Sequence, residues 1–87
     1  RYSRALADAK TIANEITTAN ALQLAEDGTL AFSEVDDIKK ADDIKYDRMR
    51  KVLKEAEDSN IEIIINEDGS AEVIEPSGET EAVTGDE

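Results

Sequence analysis

Hydrophobic positions recur at helical spacing, then at strand spacing, along this chain. Over residues 3 to 16, Leu6, Ala9, Ile12, Ala13 and Ile16 fall on one helical face, and Ser3 is placed to cap it. Leu22 and Ala25 lie well round the wheel from Ile16, with Thr17-Thr18 between the two sets. Two β-branched residues with local hydroxyls favour a bend or restart. The pattern therefore predicts a helix over 4–16 and a second helical piece over 19–26, separate or fused. Gly28 suits the left-handed exit that stops it. Thr29-Leu30-Ala31-Phe32 reads as a short extended piece. Ser33, with Asp36 three residues on, predicts the cap of a short helix facing the core through Val35 and Ile38, with Lys39 and Lys40 near its C-terminal end.

The next helix, about 46–59, has the clearest stripe: Met49, Val52, Leu53 and Ala56 at i, i+3, i+4 and i+7. That spacing places Met49 in the core. Asp47 sits in the first turn, and Asn60 stands where a left-handed residue must end the helix. The period then changes. Ile61 to Ile65 is a β-branched strand, Asn66-Glu67-Asp68-Gly69 a hairpin signal, and Ser70 to Glu75 the return. A three-residue loop with Gly69 in a bulge opposes Ile63 with Val73 and Ile65 with Ala71, which gives one apolar face. A two-residue loop would oppose Ile65 with Glu72, so the longer loop is expected. Pro76 ends the pairing, and 76–87 reads as a flexible, disordered acidic tail.

The expected fold is mainly α with a minor β component. It is a compact three-to-four-helix bundle in a helix-turn-helix or winged-helix-like arrangement, with a C-terminal hairpin. Residues 1–75 form one domain, with the hairpin at about 61–75. Leu30 to Phe32 is placed to add a third short strand.

Composition narrows the function classes. Eighty-seven residues allow one small core. Cysteine and histidine are both absent. That removes a disulfide framework, a thiol nucleophile, the usual general base and the commonest metal ligands. It fits a reducing, cytoplasmic setting. No apolar run approaches the roughly 20 residues of a membrane span. The chain opens on Arg1-Tyr2 without methionine, as a fragment or processed form would, and no targeting signal is legible. The net charge is −12, and residues 61–87 carry nine acidic groups and no basic one. Such a block repels nucleic acid and membranes and is drawn to basic grooves. The candidate partner-binding acids are Asp36, Asp37, Asp42, Asp43, Glu67, Asp68, Glu72, Glu75, Glu79 and Glu81. Neighbouring acids on a helix do not face each other, so these pairs make a solvated surface rather than a catalytic or magnesium site. Arg48, Arg50, Lys51 and Lys54 could touch phosphate, but the interspersed acids argue against duplex binding. No catalytic residue, metal or cofactor is expected.

The stretch from Gly28 to Ile65 resembles the N-terminal autoinhibitory region (region 1.1) of bacterial primary sigma factors. The resemblance rests on Gly28, Leu30, Ala31-Phe32 and Glu34-Val35, then Asp47 and Met49, then Asn60 and Ile61-Glu62-Ile63. It departs at Leu24-Ala25-Glu26-Asp27, where the family carries a lysine-bearing segment, and at Asn60, where it carries glycine. The resemblance implies a non-enzymatic domain that occupies the basic DNA channel of core RNA polymerase as a DNA mimic. Two rival readings use the same residues differently. One is a small structural or assembly protein, phage-type or a complex subunit, docking through its N-terminal helix. The other is a stand-alone acidic DNA-mimic inhibitor. Asp27 to Val35 also resembles half of an EF-hand loop, but Gln23 and Ala25 stand where oxygen ligands are needed.

Overall fold

A single helix, α1 (Tyr2–Asp27), forms one side of the molecule. At 1.5 Å per residue its 26 residues span about 39 Å, comparable to the molecule's longest extent of 38 Å. A computed structural model describes residues 2–77 and 80–82, the last three as backbone. After α1 come α2 (Val35–Lys40), a 3₁₀ turn (Ile44–Tyr46), α3 (Asp47–Asp58), β1 (Glu62–Ile65), β2 (Ala71–Ile74) and β3 (Thr80–Ala82). The strands form an antiparallel meander in the order β1-β2-β3.

Of the two forms expected around Thr17-Thr18, separate or fused helical pieces, the fused one is found. Thr17 Oγ1 donates to the Ala13 carbonyl within the helix and accepts the Ala71 N–H of β2, each at 2.9 Å. The hydroxyl that favours a bend in isolation is held by the helix and the sheet together. Ser3 is accordingly inside the helix rather than its cap. The buried stripe runs Ala5, Ala9, Ile12, Ala13, Ile16 and then Asn20, continuing the i+4 spacing through a polar residue.

α3 and the hairpin follow the sequence pattern closely. Val52, Leu53 and Ala56 are buried, whereas Met49 is only partly buried against the core. Asn60 takes φ +60°, and the Ile61 and Asn60 N–H groups donate to Ala56 and Glu57, closing the helix end. The register pairs Ile63 with Val73 and Ile65 with Ala71. Gly69, at φ +93°, donates to Asn66 across the three-residue turn.

Three expectations are corrected. The cap of α2 sits one residue later than Ser33-Asp36: the Asp37 carboxylate accepts from the backbone of Glu34 and Ser33, at 3.2 and 3.0 Å. Leu30 to Phe32 forms no strand, because the Phe32 backbone bonds to the Asn20 amide instead; the third strand is Thr80–Ala82, within the expected tail. Residues 78, 79 and 83–87 of that tail lie outside the described residues. With α1 continuous and α2 only six residues long, the α-helix count among the described residues is three. The result is a mainly helical chain with an antiparallel hairpin, not a clear three-to-four-helix bundle or winged helix.

One core joins the layers. Ile12 and Ile16 of α1, Ile38 of α2, Val52 and Leu53 of α3, and Ile61, Ile63 and Val73 of the sheet region are all buried, with Phe32 packed edge-on to Tyr46 at 5.2 Å. Full burial of each such side chain stabilises the fold by about 1.5–3 kcal/mol.

Candidate functional site: the acidic surface

Half of the ten candidate acids do local structural work that the sequence reading did not assign. Asp37 caps α2, as above. Asp43 caps the 3₁₀ turn by accepting from the Lys45 N–H at 3.1 Å, with Lys45 Nζ at 3.9 Å. Asp68 accepts from both the backbone N–H and the hydroxyl of Ser70, at 2.9 and 2.6 Å. Glu72 accepts from Asn66 Nδ2 at 2.9 Å, and Glu75 from the Tyr2 hydroxyl at 2.9 Å. Asp36, Asp42 and Glu67 are exposed on α2, on the connection after it and at the hairpin tip. Glu81 pairs through its backbone with Val73, and Glu79 lies outside the described residues.

These acids do not gather into one patch. Glu75 is tied to Tyr2 at the start of α1, while Glu67 and Asp68 flank the turn whose Gly69 packs on Asn20. Tyr2 and Asn20 are 18 residues apart on the helix, or about 27 Å. The negative charge is therefore distributed along the length of the molecule.

The basic residues are largely engaged with the chain itself. The Arg50 guanidinium contacts the carbonyls of Ile38, Ala41 and Asp43 and the Asp47 carboxylate, clamping the connection between α2 and α3. Arg48 pairs with Glu15 of α1 at 3.2 Å, and Lys39 of α2 with Glu57 of α3. The cluster that could have touched phosphate is thus divided, with its two arginines holding elements together.

Three carboxylates are held below their ordinary range. Hydrogen bonds lower Asp27 through Thr29, Glu57 through Lys39, and Asp68 through Ser70. Lys39 is raised because its ammonium donates to the Glu57 carboxylate. Every one of these shifts favours the charged form, whereas a general acid at neutral pH needs a raised carboxyl. Among the described residues, no group of three or more Asp or Glu side chains could hold a metal ion. The positions that would supply the first ligands of an EF-hand loop, Gln23, Ala25 and Asp27, lie within α1, so no calcium loop forms there. No helix among the described residues is long and apolar enough to cross a membrane.

Two features escaped the sequence reading. Asn20, 1% exposed, donates to the carbonyls of Phe32 and Gly69 and accepts from the Phe32 N–H, at 2.9, 2.9 and 2.7 Å. An open groove of about 430 Å³ lies between α2, α3 and β1. Neither has a local signal, because each depends on contacts between distant segments. Compared with family models, curated proteins and solved structures, the chain matches none.

Proposed function

We propose that this is a non-enzymatic acidic interaction domain of the transcription machinery, in which exposed carboxylates take the place of DNA phosphates in the basic channel of core RNA polymerase. The observation that carries the reading is the uncompensated charge: 22 acidic groups face ten basic ones, and Arg48, Arg50 and Lys39 are already engaged internally. Acids spread along about 27 Å of the molecule's length would make many separate, screened contacts, which suits fast and displaceable binding. The resemblance over Gly28–Ile65 supports the finer identification. Its landmarks fall at a helix exit, a capped helix start, a second helix start and a strand.

The test is binding of the chain to core RNA polymerase at rising salt and with competing duplex DNA. Affinity should fall at least about tenfold between roughly 0.05 and 0.3 M salt, and duplex should displace the chain. Binding that ignores both salt and duplex would sink the reading. A second reading, docking of a partner on α1 in a structural assembly, is favoured by Leu22 and Leu24, which are 65% and 44% exposed on its last two turns. It predicts that Leu22→Ser abolishes partner binding in a salt-independent way.

A further inference from the structure

The groove between α2, α3 and β1 follows an unpaired sheet edge. Among the described residues β1 bonds only to β2, so its other side is open. In an antiparallel ladder the residues that bond across alternate with those that do not. Asn66 donates to Ser70 at 2.8 Å, which puts Ile64 and Glu62 on the bonding side. The N–H and C=O groups of Ile61, Ile63 and Ile65 therefore point to the other edge. The Ile61 N–H is taken by the Ala56 carbonyl at 2.8 Å, which fixes the direction of that edge toward the end of α3. Among the described residues, nothing hydrogen-bonds to the main chain of Ile63 or Ile65 beyond it.

The groove has the right position for a guest on this edge. It touches Ile61 and Ile63, whose side chains are buried, and also Glu62, which is exposed on the opposite face. A surface that meets both faces of one strand wraps its edge. No residue of β2 lines it. Its apolar floor includes Val35, Leu53 and Ile63, and its rim carries Asp36, Glu57 and Glu62 against one lysine, Lys39, already paired with Glu57.

We propose that the open edge of β1 binds an extended peptide segment with alternating basic and apolar residues, by strand addition. The guest's main chain would pair with Ile63 and Ile65, its apolar side chains would enter the groove, and its cations would meet Asp36 and Glu62. Charge selects this occupant. A second copy would bring a net charge of −12 to an acidic rim, and the chain's own segment after Ile61 has no basic residue. Exposed edges otherwise invite self-pairing, and an acidic rim guards against it. The proposal does not depend on polymerase binding: loss of the salt-sensitive polymerase interaction would leave it standing, and the reverse.

The test uses the 87-residue chain and a hexapeptide of alternating lysine and valine, capped at both ends, with amide exchange followed by NMR. In the free chain the Ile63 and Ile65 amides should exchange faster than that of Ile64. Saturating peptide should slow both by at least about tenfold. Ile65→Pro, which removes an outward N–H that an edge strand can do without, should abolish the slowing at Ile63, the amide that still reports. So should Asp36→Lys, a change at an exposed position, with unaltered Ile64 exchange in the free variant showing that the fold is kept. The proposal is overturned if about 1 mM peptide leaves the two amides unchanged, or if hexalysine protects them equally. It is also overturned if they are already protected in the free chain and lose that protection on dilution, because a second copy then fills the edge.

Discussion

Two turns of this protein share a sequence motif and differ in what surrounds them. Asp27-Gly28-Thr29 ends α1, and Asp68-Gly69-Ser70 closes the hairpin. In both, the aspartate Oδ1 accepts from the N–H and the hydroxyl two residues on, at 3.0 and 2.6 Å in the first and 2.9 and 2.6 Å in the second. In both, the glycine has positive φ, +80° and +93°. At Gly28 a Cβ would meet nothing within 4 Å, whereas at Gly69 it would lie 2.8 Å from Leu30 Cδ2 and 3.0 Å from Asn20 Cβ. The local chemistry is the same, so the difference between them measures tertiary packing alone.

The largest effect should come from the group that holds the second turn. Asn20→Ala leaves three buried backbone groups unpaired and should cost about 3–4 kcal/mol, read as a fall in the denaturation midpoint. Gly69→Ala adds the clash to the strained φ and should cost about 2–4 kcal/mol. Gly28→Ala faces only the φ penalty, about 1 kcal/mol. Equal losses at the two glycines would show that the hairpin tip is not packed on α1. Met49→Ala should cost about 1–2 kcal/mol, below the roughly 2–4 expected of a fully buried methionine, and a larger loss would place it deeper than it lies.

The smallest effect is electrostatic and touches both turns. Asp27 and Asp68 are each held below 3.8, the ordinary aspartate value. A depressed folded pKa gives stability that is present above 3.8 and is lost as pH falls through the folded value. Lowering the pH from 5 toward about 2.5 should therefore lower the melting temperature more in the native chain than in Asp68→Asn, whose amide oxygen can still accept the turn's hydrogen bonds. Matching acid profiles would remove Asp68 from that account.

The same comparison shows why parts of the fold were legible. α3 and the hairpin register follow from periods of 3.6 and 2 acting within short windows, and Asn60 marks the change between them. Whether α1 runs on was not settled by the sequence, since Thr17-Thr18 favours a bend until Ala71 supplies a partner, and Asn20 gave no signal until Phe32 and Gly69 supply theirs. β3 carries no strand pattern of its own and forms by adding to the outer edge of β2. At the candidate site, total charge was readable, but its division was not. Asp37, Asp43 and Asp68 are turn and cap residues, and Arg50 is a clamp. The spacing Asp-Gly-Ser/Thr was the available signal for Asp68.

The ties between α1 and β2 have a mechanical consequence. Thr17 grips the beginning of β2 at Ala71, and Tyr2 grips Glu75 just past its end. The helix is thereby laced to the central strand at two widely separated points. A load drawn across them must shear both laces together instead of opening them one after the other. A force probe anchored on α1 and on β2 should accordingly meet one abrupt rupture.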